Sequence, residues 1–121
     1  MNIKIGFIGL SHLGFIYSLA AAKNNFDVIA FDFDKKIIKN LKNKITPIIE
    51  PNTKNIINNK KYNIMYSNNI EDLSKCNLVF FSYDTPTDDK MNSNFNFIKE
   101  KINKAISGIN KKSYFIILSQ V

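Results

Sequence analysis

The sequence contains no arginine; all 17 of its basic residues are lysine. The formal net charge is +7, and such a balance invites a nucleic-acid reading. The missing guanidinium argues against it, because bidentate contacts to bases and phosphates favour arginine. Asparagine and isoleucine are as abundant as lysine, so the lysine excess reads as a bias of the whole chain. Its densest basic stretch, Lys35 to Lys61, reads as a solvated helix face and loop. No nucleic-acid partner is expected. Cysteine is almost absent too. A lone Cys76 excludes an internal disulfide and a cysteine-based metal site. In "LSKCNLVFF" it reads as a small, partly buried residue ahead of an apolar strand. No apolar run approaches the roughly 20 residues of a membrane helix. Lys4, three glycines and His12 break the N-terminal apolar stretch, and no small-residue cleavage site follows it. A cytoplasmic chain with no membrane contact is expected. Repeats, low-complexity blocks and linkers are missing, so the 121 residues read as a single domain.

What is present is an alternation of apolar strands and helical segments in a chain that is 45% hydrophobic. "IKIGFIGL" (Ile3–Leu10) is apolar at nearly every position, as in a strand buried on both faces. Ser11–Lys23 follows as a helix, with Leu13, Ile16, Tyr17, Ala20 and Ala21 forming the apolar face expected from their spacing. Phe26–Asp34 reads as a second strand and Lys35–Lys44 as a helix with an Ile37, Ile38, Leu41 stripe. Ile45–Asn59 is a proline-punctuated loop that can lead into a short helix after Pro51. Tyr62–Ser67 reads as a short strand and Asn77–Tyr83 as a buried one, ending at the polar loop "DTPTDDKMNSN". Phe95–Ile109 is a helix whose face is Ile98, Ile102, Ala105, Ile106 and Ile109. Ser113–Val121 is a last strand. This order implies βαβ units, hence an α/β, doubly wound parallel sheet with helices on both faces.

In such a sheet, ligands bind beyond the carboxyl ends of the strands. The first of these ends is Gly9-Leu10-Ser11-His12-Leu13-Gly14, a G-x-G-x-x-G loop whose middle glycine is Ser11. Gly9 permits a tight turn, and Gly14 lets the helix pack close to the strand. The helix N-terminus offers unpaired N–H groups and a partial positive charge to a pyrophosphate. Ser11 adds a Cβ at the point of closest approach, and its hydroxyl can offset that with a hydrogen bond. Asp32 ends the second strand 23 positions after Gly9. An acidic side chain there accepts hydrogen bonds from adenosine ribose hydroxyls and repels a 2′-phosphate, which favours NAD over NADP. Asp34 suits the N-cap of the following helix better than Asp32 does. His12, the one histidine, reads as a surface ring whose backbone N–H faces phosphate.

Four stretches resemble the NAD-binding, N-terminal domain of the UDP-glucose/GDP-mannose dehydrogenase family. "KIGFIGLSHLG" is similar to the family's opening fingerprint, and "VIAFDFD" to its second strand with the ribose aspartate. "TPIIEPN" (Thr46–Asn52) is similar to its proline–glutamate–proline loop. "FFSYDTPTDD" (Phe80–Asp89) resembles the strand that ends in Thr-Pro-Thr beside the cofactor. The resemblance covers essentially the whole chain. It implies an oxidoreductase that converts the C6 alcohol of a nucleotide sugar to a carboxylate in two steps, using two NAD, in polysaccharide biosynthesis. By the same resemblance, Gly9, Ser11, His12, Leu13 and Gly14 hold the pyrophosphate, Asp32 holds the ribose, and Thr85, Pro86 and Thr87 border the nicotinamide half. Ser119 matches the start of a Ser-Thr-Val segment. The sequence departs from the family pattern at Ser11, Ile37, Asn52 and Gln120.

The family's catalytic cysteine and sugar-binding residues belong to a central region downstream. No catalytic residue and no metal site are therefore expected in this chain. Cys76 precedes the fourth strand and is not the nucleophile. Residues 1–121 are expected to form an incomplete NAD-binding Rossmann domain, truncated after its fifth strand. The central and UDP-sugar-binding domains are expected to be absent, so the chain alone is inactive, and the full-length enzyme is a homo-oligomer. The competing expectations are a stand-alone Rossmann module that senses a nucleotide without catalysis, a lysine-rich nucleic-acid binder, and a related hydroxyacid or 6-phosphogluconate dehydrogenase.

Overall fold

The computed structural model describes residues 3–46, 53–83 and 95–118. Five strands, β1 (Lys4–Ile8), β2 (Asp27–Phe31), β3 (Ile64–Ser67), β4 (Leu78–Phe81) and β5 (Tyr114–Ile117), form one sheet in the order β3-β2-β1-β4-β5. Every pairing is parallel, as the strand–helix alternation predicts. The helices are α1 (Leu13–Lys23), α2 (Lys35–Lys42), α3 (Thr53–Asn58) and α4 (Phe95–Ile106), and α3 is the short helix expected after Pro51. A 3₁₀ helix at Ile70–Lys75 is not foreseen by the sequence reading. Its signal is local: the Asn69 side chain accepts a hydrogen bond from Glu71 N–H at 3.1 Å.

Alternation along each strand divides the core in two. Ile5 and Phe7 of β1 with Val28 and Ala30 of β2 face α1, α2 and α3 through Phe15, Leu19, Ile38, Leu41, Ile56 and Ile57. Ile8, Ile29, Phe31, Val79 and Phe81 face the 3₁₀ helix and α4 through Leu73, Ile98 and Ala105. The central strands are covered on both sides, which explains their continuous apolar runs. At the two edges, Met65 of β3 and Tyr114 and Ile117 of β5 are exposed.

Two expected helix faces need correction. α1 buries Gly14, Phe15, Ser18, Leu19 and Ala22, while Leu13, Tyr17 and Ala20 are exposed. The helix is apolar almost all round, so periodicity alone does not select its buried side. The close approach at Gly14 selects it instead. A Cβ at Gly14 would collide with the Gly9 carbonyl oxygen and with Ser82 Oγ. α4 buries Ile98 and Ala105, but it ends at Ile106, which is 56% exposed. Ser107 and Gly108 turn the chain there: Ser107 Oγ donates to Lys104 O, and Gly108 N–H to Ala105 O. α2 is capped as expected, with Asp34 Oδ1 accepting from Lys36 N–H at 2.9 Å.

Candidate functional site

β1 lies between β2 and β4, so the chain's strand order reverses at the β1/β4 boundary. The carboxyl ends of strands at such a switch point are where open α/β sheets bind ligands. The Gly9–Gly14 loop sits there. Gly9 has φ +101°, a left-handed conformation that favours glycine, and its N–H donates to Phe31 O at 2.9 Å. Leu10 is fully buried, whereas Ser11, His12 and Leu13 are exposed. His12 occupies the N-cap position of α1 and makes no side-chain cap hydrogen bond. The helix thus opens toward the strand ends with its first-turn N–H groups uncapped by that side chain, the arrangement that suits a pyrophosphate.

Asp32 follows β2 directly and is only 1% exposed. Its Oδ2 accepts from Leu10 N–H at 2.9 Å. Its Oδ1 accepts from Asp34 N–H at 2.9 Å and from the Tyr83 hydroxyl at 2.6 Å. The carboxylate therefore ties the glycine loop, the start of α2 and the end of β4 to one point. A buried carboxylate persists only when its lone pairs are used in this way.

Sequence reasoning singles out Asp32 but misses two residues that complete the site. Ser82 is buried, and its Oγ lies 3.1 Å from Ile8 O and 3.0 Å from Gly9 O, holding the loop against β4. Tyr83 lies across Gly9, where a Cβ would come within 2.8 Å of the ring. Burial first, then the negative charge of Asp32 and the hydrogen bond to it, push the Tyr83 phenol well above its ordinary range. The only hint of either residue in the sequence is position, at the end of a strand beside the glycine loop. Phe33, Tyr83 and Phe97 gather around Lys101, whose Nζ lies 5.0, 5.9 and 5.6 Å from their ring centroids.

Thr85, Pro86, Thr87, Ser119 and most of the Thr46–Asn52 loop lie outside the described residues. Cys76 is buried in the cluster with Leu73 and Val79. It precedes β4, and its neighbour Asn77 donates to Lys4 O at the start of β1. That is the amino end of the strands, opposite the glycine loop. Burial pushes its thiol up to about 11, although Lys4 pulls the other way.

A glycine loop at the switch point, an open helix N-terminus and an acid at the end of the second strand define a dinucleotide-binding domain of the Rossmann type. A Cβ-free Gly14, a left-handed Gly9 and a start of α1 that the His12 side chain leaves uncapped fit such a ligand. The chain matches the sequence profile described as "UDP-glucose/GDP-mannose dehydrogenase family, NAD binding domain" over residues 3–121. It belongs to that family, and its cofactor is NAD. It is 35% identical over 88 residues to Protein CapL of Staphylococcus aureus, spanning 73% of this chain and 20% of that protein. In structure it is similar to a UDP-D-ManNAc dehydrogenase from Pyrococcus horikoshii (TM-score 0.83, 21% identity, 98% of this chain and 29% of that one). It is also similar to a UDP-glucose dehydrogenase from Pyrobaculum islandicum (TM-score 0.85, 16% identity, 100% of this chain and 29% of that one). At those identities the likeness establishes the fold. Family membership does not favour the expectation of a stand-alone sensing module. No helix among the described residues is long and apolar enough to cross a membrane.

Proposed function

We propose that this chain is the NAD-holding part of a nucleotide-sugar 6-dehydrogenase that oxidises a C6 alcohol to a carboxylate. The observation that carries the proposal is the Gly9–Gly14 loop at the switch point, leading into α1 and tied through Leu10 to Asp32. NAD, when bound, supplies the hydride acceptor. The N–H groups around Ser11–Gly14 hold its pyrophosphate, and Asp32 meets the adenosine ribose. Thr85, Pro86, Thr87 and Ser119 are assigned to the cofactor's other half by family resemblance. Further domains supply the nucleophilic thiol and the sugar contacts, consistent with the 20–29% of its relatives' length that the chain spans. A role in polysaccharide biosynthesis in the cytoplasm is part of the same proposal and rests on membership of the family.

Calorimetric titration of the purified chain with NAD and NADP tests the cofactor assignment. NAD is expected to bind more tightly, and tighter NADP binding would refute the role given to Asp32. Ser11→Gly is expected to leave NAD affinity within a few-fold, because the helix N-terminus supplies most of the attraction. A tenfold loss would make the Ser11 hydroxyl an essential ligand.

A further inference from the structure

The three donors on Asp32 among the described residues are not equivalent. Leu10 N–H and Asp34 N–H are backbone groups, one set by the loop that leaves β1 and the other by the entry to α2. The Tyr83 hydroxyl is the side-chain donor among them, 2.6 Å from Oδ1. The Tyr83 hydroxyl oxygen in turn accepts from Phe33 N–H at 3.1 Å. Tyr83 thus places one hydroxyl between a carboxylate and a backbone N–H, donating to the first and accepting from the second. A secondary alcohol of a ribose has the same capacity, one donor and one acceptor on a single oxygen. Asp32 is nearly inaccessible while the phenol is in place.

We propose that the Tyr83 hydroxyl is a surrogate for the adenosine ribose, occupying Asp32 and Phe33 N–H until a ribose hydroxyl displaces it. The proposal rests on the NAD assignment and adds a residue that sets its affinity. Binding by exchange forfeits the Tyr83–Asp32 bond, so the observed affinity is lower than the ribose contacts alone would give. To give up that place to a ribose hydroxyl the tyrosine ring must swing aside, because the phenolic oxygen is fixed to it. The ring stacks on Phe33 at 6.4 Å between centroids and 14° between planes, and Phe97 meets it edge-on at 6.1 Å. Loss of the hydroxyl alone therefore keeps the apolar wall beside the site.

Tyr83→Phe isolates the exchange. A hydrogen bond to a charged acceptor sets the scale, so the variant is expected to bind NAD about tenfold more tightly than the wild type. The gain is expected to recur with AMP and to vanish with 2′,3′-dideoxy-AMP, which has no hydroxyl to offer Asp32. Melting temperature is expected to fall in the same variant, so affinity and stability move in opposite directions. On wild-type protein carrying ring-¹³C tyrosine, NAD is expected to shift the Tyr83 Cζ resonance, a readout that does not depend on the variant's folding. Equal or weaker NAD binding by Tyr83→Phe, or a Tyr83 signal that stays still while NAD binds, would overturn the proposal and leave the NAD assignment standing. An equal gain with dideoxy-AMP would also overturn it. Absence of NAD binding in both forms would remove the NAD assignment and the proposal together.

Discussion

Asp32→Ala removes one side chain and strands three donors among the described residues. Leu10 N–H is deeply buried, so water cannot replace the lost carboxylate oxygen without opening the loop. Asp34 is exposed, and solvent takes over there at little cost. The Tyr83 hydroxyl is intermediate. A hydrogen bond to a charged acceptor contributes about 1.5–3 kcal/mol net, and a stranded buried donor costs about 1–3 kcal/mol. Opposing these losses, alanine no longer carries the desolvation penalty of a buried charge. Counting Leu10 in full and Tyr83 in part, the net loss is about 2–4 kcal/mol. Such a loss is large beside the roughly 5–15 kcal/mol that holds a domain together. For a domain of this size it lowers the melting temperature by about 10–15 °C. Urea and thermal unfolding followed by circular dichroism measure it directly. Asp32→Asn keeps one carbonyl acceptor and is expected to fall between alanine and wild type. An alanine variant within about 1 kcal/mol of wild type would refute the view that this carboxylate ties the loop to β4. A large loss means that weaker NAD binding by Asp32→Ala mixes ribose contact with loop disorder.

Gly14→Ala is expected to destabilise the fold by more than about 2 kcal/mol, because its Cβ has no space against Gly9 O and Ser82 Oγ, and chemical denaturation measures it. Cys76 keeps its proton up to about pH 11 in the folded chain, whereas the unfolded thiol loses it near pH 9. Stability present below pH 9 is therefore lost as the pH rises through that window, and the Tyr66 phenol, pushed up to about 12 by burial, acts in the same direction. Urea midpoints at pH 8 and pH 10.5 test the sign, and an increase at the higher pH would contradict it. Cys76→Ser is expected to leave NAD affinity unchanged in calorimetry, because Cys76 lies at the opposite end of the strands from Gly9–Gly14.

Strands, their parallel arrangement and the position of the glycine loop are legible in the sequence, because continuous apolar runs separated by helical segments have one stable packing as a two-sided sheet. Asp32 is legible for the same reason, as an acid ending the second of those runs. The buried face of α1 is not, since apolar residues surround the helix and only its contact with β1 and β4 chooses among them. Nor is the state of Asp32. Its partners Leu10 and Tyr83 stand 22 and 51 positions away, and nothing local announces them. β1 is hydrogen-bonded to both β2 and β4, so the three strand ends meet only once the sheet has formed. The sequence by itself determined that an acid and a glycine loop share one edge of a parallel sheet. The tertiary structure decided that a tyrosine hydroxyl stands on that acid, because only long-range strand pairing brings a phenol and a carboxylate within hydrogen-bonding distance.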